Sequence, residues 1–287
     1  MQREIGTTGV RVHPIGWGVM PLSTRSSRPE RQGALAVFKA ALDAGVTFWD
    51  TANSYCLDDR ETGHNERLIA WAIRELGIAG RVHVATKGGM TRPRGAWVTD
   101  GRPEHLRQAC EQSLRDLGVE QIFLYQLHWP DPRTPYAESV GALAELQRQG
   151  KIRHVGISNV TAAQLRQAQG ICRVESVQNR CNPLDAGDLT DGLLALCAEQ
   201  RVTYIPYSPV GGGSGHTQMG RQRVLSEIAR SHGASAYQVA LAWLLAKGPH
   251  VVPIPGASRV ESIVDSAAAA SLTLAPEEIA RIDRLGR

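Results

Sequence analysis

Residues 31–50 read RQGALAVFKAALDAGVTFWD, and this stretch carries the unit from which the fold is built. Leu35, Phe38 and Leu42 recur at steps of three and four, which puts them on one face of a helix over residues 31–44. Gly45 follows where such a helix should stop. The run that begins near Thr47 is short, with β-branched and aromatic residues, and reads as a strand. It ends on a charge, Asp50.

The same unit recurs along the chain. Strand-like runs begin near Ile15, Thr47, Val82, Ile122, His154, Ser176, Val202 and Val251, which makes eight. Amphipathic segments lie between them. Residues 104–117 align Leu106, Ala109, Cys110, Ser113, Leu114 and Leu117 on one helical face, and Thr161-Ala162-Ala163-Gln164 has the form of a capping box. Gly77, Gly118, Gly150 and Gly170 stand at further expected helix ends. Strand–helix alternation implies a parallel sheet, because parallel strands need a crossover. Eight units in 287 residues fit a (β/α)8 TIM barrel. The competitor is an open doubly wound sheet. One that bound a dinucleotide would carry G-x-G-x-x-G after its first strand, and that motif is absent, as is the P-loop. Gly211-Gly212-Gly213-Ser214-Gly215 fits neither spacing, nor the hydrolase elbow G-x-S-x-G. It reads as a flexible loop after the seventh run.

Two segments fall outside the count of eight. Thr7-Thr8-Gly9, between short β-prone runs, predicts an N-terminal hairpin that closes one end. Residues 235–247 predict an extra helix, apolar nearly all round and therefore buried, with Trp243 in the core. The expectation is an α/β fold, a (β/α)8 TIM barrel with an N-terminal β-hairpin and extra helices, over residues 1–287 as a single domain. Length alone leaves two small domains open.

Composition narrows the function classes. Apolar residues make 42% and charged residues 21%, ordinary globular values that exclude disorder. The net charge is +4, with no basic block, so no nucleic-acid surface is expected. The longest apolar stretch, residues 239–246, is far short of the roughly 20 residues that span a membrane. The N-terminus lacks the apolar core of a secretory signal. Five cysteines, odd in number and without C-x-x-C, suit a reducing compartment, and a cytoplasmic protein is expected. No paired Cys/His spacing supports a metal site.

In a barrel, chemistry gathers where strands end and βα loops begin. The second run ends in Asp50, with Tyr55 in the loop after it; the third ends in Lys87 and the fourth in His128. A buried Asp and a buried Lys are tolerable as a pair and costly apart. Two unit charges about 4 Å apart attract by roughly 4 kcal/mol at an effective dielectric near 20. A Lys that close would draw a Tyr from about 10 towards neutrality, where a general acid works best. His128 adds a hydrogen bond towards a substrate oxygen. The set suits protonation of an oxyanion as it forms, such as a carbonyl receiving hydride.

These residues lie in segments that resemble the aldo-keto reductase superfamily over nearly the whole chain. Gly45-Val46-Thr47-Phe48-Trp49-Asp50-Thr51-Ala52-Asn53-Ser54-Tyr55 is similar to its D-T-A-x-x-Y region, and Gly63-His64-Asn65-Glu66 to the G-x-(S/N)-E that follows. Val84-Ala85-Thr86-Lys87-Gly88-Gly89 resembles the lysine strand and Leu127-His128-Trp129-Pro130 the histidine strand. Residues 150–159, Tyr207-Ser208-Pro209 and Ile254-Pro255-Gly256-Ala257-Ser258-Arg259 resemble the half that binds cofactor.

The resemblance implies NADPH-dependent reduction of an aldehyde or ketone, with NADH the lesser cofactor. By position, Tyr55 is the proton donor, Lys87 its activator, Asp50 the partner of Lys87, and His128 the group that orients the carbonyl. Ser158, Asn159 and Gln178 would bond the nicotinamide carboxamide, and Tyr207 would stack on its ring. Ser208 and the loop from Gly211 to Gly213 would lie near the pyrophosphate. Ser258 and Arg259 would hold the adenosine 2′-phosphate, which suits a guanidinium, while Gly256 belongs to the cofactor-binding stretch but brings no phosphate contact of its own. Asp265 stands near the adenine position, where many members have Glu, and some branches have Lys where Gly256 stands. Trp17, Met20, Trp97 and Trp129 are expected to line the substrate pocket, whereas Trp49 should turn to the helices by alternation. The loop at residues 56–62 is longer than the family usually shows and should border the substrate mouth, and its charges read as solvated surface, with a polar specificity feature as the alternative. A small carbonyl compound is the expected partner; no oligomeric state follows. A nucleotide-binding sensor or accessory subunit is the alternative, and the complete set of Asp50, Tyr55, Lys87 and His128 argues against it. A barrel isomerase or lyase would leave the motifs of runs five to eight without a role.

Overall fold

The computed structural model describes residues 2–286. The chain begins with β1 (Arg3–Glu4) and β2 (Arg11–Val12), an antiparallel pair. Seven parallel strands then curl into one sheet: β3 (Trp17–Gly18), β4 (Phe48–Asp50), β5 (His83–Gly88), β8 (Ile122–Leu127), β9 (Ile152–Ser158), β10 (Val174–Gln178) and β11 (Thr203–Tyr204). A second hairpin, β6 (Met90–Thr91) and β7 (Val98–Thr99), rises after β5. The crossovers carry α1 (Arg31–Asp43), α2 (His64–Glu75), α3 (Pro103–Leu117), α4 (Tyr136–Arg148), α5 (Ala162–Gln169) and α6 (Leu193–Glu199). Five more helices follow among the described residues: α7 (Ser214–Gly220), α8 (Arg223–His232), α9 (Ala236–Leu245), α10 (Val260–Ala268) and α11 (Pro276–Ile282).

The eighth run is not a regular strand. It joins the sheet through three isolated parallel bridges, Tyr204 to Val251, Tyr207 to Ile254, and Gly18 to Gly256. The reason is proline spacing. Val252 and Ile254 donate their N–H groups to Tyr204 and Pro206 on one side. Pro253 and Pro255 face β3 on the other side, where they accept from Gly16 and Gly18 but have no N–H to return. Half the ladder on that seam is missing, yet the barrel closes.

Alternation along the strands separates two cores. Phe48, Ala85, Leu124, Ile205, Val252 and Ile254 point inward, and Ile5 and Val12 of the first hairpin plug the lower end. Between strands and helices lies the larger core, which contains Trp49, Phe38 and Tyr125. Trp243 is buried there as expected, its indole N–H on Asp283 at 2.7 Å. The capping box at Thr161 forms. Residues 211–215 differ from expectation: Ser214 and Gly215 open α7, and only Gly211 to Gly213 remain as the loop. All five cysteines are free. No helix among the described residues is long and apolar enough to cross a membrane.

Candidate active site

One step above the inner apolar layer, the same alternation turns polar side chains inward. Asp50 follows Phe48, Lys87 follows Ala85, and Gln126 follows Leu124, each two residues further along its strand. The register places Lys87 beside Gln126, Gln126 beside Gly156, and Gly156 beside Ser176. Gly156 is required here. A Cβ on it would stand 2.3 Å from Ser176 Oγ and 2.8 Å from Gln126 Cγ.

Lys87 and Asp50 are both fully buried. Lys87 Nζ donates to Asp50 Oδ1 at 2.5 Å, to the Thr51 carbonyl at 2.9 Å and to Tyr55 Oη at 3.0 Å. Those three bonds use all three ammonium protons. Asp50 Oδ2 accepts from Gln178 Nε2 at 2.8 Å and Gln126 Nε2 at 3.1 Å, so the carboxylate is satisfied at both oxygens. Gln178 also donates to Gln126 Oε1 at 3.2 Å. Gln126 is absent from the residues picked out by motif. Its only sequence signal was a polar residue at an inward position of an otherwise apolar strand.

Tyr55 and His128 complete the centre. Their rings meet edge to face at 5.6 Å. Trp97, from the β6–β7 hairpin, stands 6.3 Å from Tyr55 and 6.4 Å from His128, also edge to face. His128 Nδ1 lies 3.5 Å from Ser54 Oγ. Burial, with the Lys87 charge beside it, holds the His128 imidazolium well below its ordinary pKa, so the ring is neutral at pH 7. Burial works to lower the Lys87 pKa, but Asp50 and Tyr55 outweigh it and hold the ammonium above its usual value.

Tyr55 differs from the sequence expectation. Burial pushes its phenol above the ordinary value; Lys87 pulls it back, and the Asp50 charge adds to the rise. The cation that should acidify Tyr55 is bonded to an anion, and water is excluded from both. Tyr55 is thus a phenol that keeps its proton, with its oxygen already accepting from Lys87.

A second set of residues lines the strand ends next to this centre. Ser158 Oγ donates to the Gln178 carbonyl at 2.6 Å. Asn159, held at a φ of 59°, donates to the His128 carbonyl at 3.0 Å and accepts from Tyr207 Oη at 2.9 Å. The half-buried Tyr207 ring is fixed by that bond. Gly211, Gly212 and Gly213 all have positive φ, at 93°, 56° and 52°. Such backbone favours glycine, and without side chains the loop leaves room for a phosphate to approach its main chain. Ser208 also has a positive φ, 48°, and a Cβ on Gly212 would lie 2.7 Å from its hydroxyl. At the eighth strand end Gly256 is exposed, and its Cβ would meet Pro21 at 3.0 Å. Ser258 and the exposed Arg259 follow. The groups present, a fixed aromatic ring, a glycine loop without side chains and an exposed guanidinium, fit a nicotinamide dinucleotide phosphate.

Four residues need separate statements. Trp17 does not line the pocket. It is fully buried and packs edge to face on Phe38 at 4.9 Å and on Trp49 at 5.8 Å, with its indole N–H on the Ala257 carbonyl at 3.1 Å. The register explains this: Trp17 pairs with Trp49, which faces the helices, and Gly18 pairs with the inward Asp50. Asp265 on α10 spends its oxygens on Ser235 and Gln238, each at 2.8 Å, which ties α10 to the start of α9. Met20 is half-buried in the turn Met20–Leu22, and Trp129 is exposed after His128.

Residues 14–287 match the model of the Aldo/keto reductase family. The chain belongs to the aldo/keto reductase family. It is 34% identical over 278 residues to Aldo-keto reductase str7 of Strobilurus tenacellus, covering 87% of this chain and 80% of that one. It is 30% identical over 307 residues to Probable aldo-keto reductase 1 of Glycine max, covering 97% and 87%. Among solved structures, a thermostable aldo-keto reductase in complex with the inhibitor epalrestat superposes with a TM-score of 0.83 at 33% identity over 100% of both chains. An aldo-keto reductase from Klebsiella pneumoniae in complex with NADPH gives a TM-score of 0.83 at 27% identity, over 99% and 94%. These matches and the closed parallel sheet agree on a (β/α)8 barrel. This aldo/keto reductase is an NAD(P)H-dependent oxidoreductase, of a family whose general chemistry is carbonyl reduction.

Proposed function

We propose that this aldo/keto reductase reduces an aldehyde or ketone to the alcohol, with NADPH preferred over NADH and Tyr55 as the proton donor. The observation that carries the reading is the bond from Lys87 Nζ to Tyr55 Oη at 3.0 Å. Because Lys87 donates to that oxygen, the phenol hydrogen is left for an acceptor in the pocket. Bound NADPH would supply the hydride to the carbonyl carbon.

The side chains then have separate tasks. As charge builds on the carbonyl oxygen, the Tyr55 hydroxyl gives it a proton. The phenolate that remains lies beside the Lys87 ammonium, which is already in place and needs no reorganisation. Asp50, held by Gln126 and Gln178, fixes that ammonium. Neutral His128 offers a ring N–H to the same oxygen without competing as an acid. Ser158, Asn159 and Gln178 would border the nicotinamide, with the Tyr207 ring against it. Ser208 and Gly211 to Gly213 would receive the pyrophosphate, and Ser258 with Arg259 the 2′-phosphate. A single compact reductase unit over residues 1–287 is part of the same reading.

Tyr55→Phe tests the proposal. It removes one hydroxyl and leaves the ring contacts with Trp97 and His128. Turnover of a carbonyl substrate should fall roughly 10²–10⁴-fold, the range for a general acid. NADPH binding, followed by tryptophan fluorescence, should be unchanged. Turnover close to that of the parent enzyme would remove Tyr55 from its role.

A further inference from the structure

The loop after Tyr55 meets the β6–β7 hairpin at one side of the active centre, and a cation lies in the seam. Arg92 is only 7% exposed. Its guanidinium carbon sits 3.8 Å from the centre of the Trp97 ring, and Nη2 donates to the Leu57 carbonyl at 3.0 Å. Nε is buried with no hydrogen-bond partner, and Nη1 has none among the described residues. Arg92 forms no ion pair within that set. Neighbouring arginines are treated differently: Arg28 holds Glu61, Arg60 holds Asp58, and Arg133 holds Asp131. Asp58, whose charge Arg92 feels, is committed to Arg60 at 2.5 Å.

A buried guanidinium without a counterion is costly, and the cost falls when an anion arrives. The location says which anion. Trp97 bridges the two groups, with Arg92 over its face and the rings of Tyr55 and His128 each about 6 Å from its centre. A substrate whose carbonyl oxygen meets Tyr55 and whose body lies along Trp97 would bring its far end to Arg92. A carboxylate there can accept from Nη1, the one nitrogen that is neither buried nor bonded among the described residues, and meet the full guanidinium charge.

We infer that Arg92 and Trp97 form the subsite for an anionic substituent, so that the preferred substrates are aldehydes or ketones bearing a carboxylate several bonds from the carbonyl. This rests on the reading that Tyr55 marks the carbonyl end.

The test compares 4-carboxybenzaldehyde with its neutral methyl ester. The parent enzyme should favour the acid in kcat/KM by roughly ten- to hundredfold, the range for hydrogen bonds to charged groups. Arg92→Gln should abolish that preference while changing the ester by less than about threefold, and Arg92→Lys should keep part of it. Melting temperature checks that the variants fold; if Arg92→Gln does not, the parent ratio and Arg92→Lys still decide. No preference in the parent, or an equal loss on both substrates in Arg92→Gln, overturns the proposal. If neither aldehyde is turned over, it is the reductase reading that fails. Dissociation constants of the two aldehydes, read by tryptophan fluorescence, then decide the subsite. Tighter binding of the acid that depends on Arg92 supports it, and equal constants overturn it.

Discussion

Asp50→Asn should be among the most damaging conservative changes in this enzyme, and its cost can be worked from the site. The substitution changes no heavy-atom shape. It removes the one anion bonded to Lys87, which has no solvent exposure. It also turns one acceptor oxygen into a donor. If the amide oxygen stays on Lys87, its nitrogen faces Gln126 Nε2 and Gln178 Nε2, donor against donors. If it flips, the nitrogen faces the ammonium. Breaking one partner of a buried pair costs about 3–5 kcal/mol. For a domain of this size that lowers the melting temperature by on the order of 10 °C. The pH dependence carries the sign. Asp50 raises the Lys87 pKa in the folded parent, so its contribution is full at neutral pH and is lost only as pH rises through that raised value. Without Asp50, burial dominates and the folded pKa falls below the unfolded one, near 10.4. The unfolded variant then binds more protons, and the variant gains relative stability as pH rises. The gap in melting temperature between parent and variant, measured by circular dichroism, should be widest near pH 7 and narrow towards pH 10. A drop of less than about 2 °C at pH 7 would refute the reasoning, because the pair would then contribute almost nothing.

Two further outcomes are expected. Arg259→Ala should raise the dissociation constant for NADPH by roughly tenfold or more and leave that for NADH nearly unchanged, since only the former offers a 2′-phosphate to the guanidinium; fluorescence titration with both nucleotides reads the difference, and equal effects would remove Arg259 from that role. Glu66, on α2, is fully buried and accepts from Thr86 at 2.6 Å, and burial pushes its carboxyl up to about 7. A folded pKa above the unfolded one means that the folded state binds more protons, so stability falls as pH rises from about 4.5 to about 7. Glu66→Gln should therefore gain on the parent by up to about 3 kcal/mol in going from pH 5 to pH 8, read by urea unfolding at both values. A constant difference would show that the carboxyl does not titrate in that window.

Parity along the strands was legible in the sequence and decided much of the site. Asp50, Lys87 and His128 could be placed at strand ends from the runs that precede them. Trp49 could be turned outward by simple alternation, and the structure buries it against Phe38. The same parity applied to Trp17 would have sent it outward as well. The position of β3 against β4 was needed to apply it, and that register is a contact between segments about 30 residues apart. The irregular eighth strand was foreshadowed by Pro253 and Pro255, but only the closed barrel showed which side of the ladder lost its donors.

The sequence by itself determined the strand–helix alternation, the closing hairpin, the helix stops and the residue types at each strand end. These depend on period, turn chemistry and capping, which are local. The tertiary structure decided what passes between elements. It put Gln126 and Gln178 on one oxygen of Asp50, and let burial override the pull of Lys87 on Tyr55. It also left Arg92 without a carboxylate among the described residues while its neighbours are paired. Desolvation and the sharing of donors among strands depend on how closely distant segments approach, and no local pattern in the chain records that.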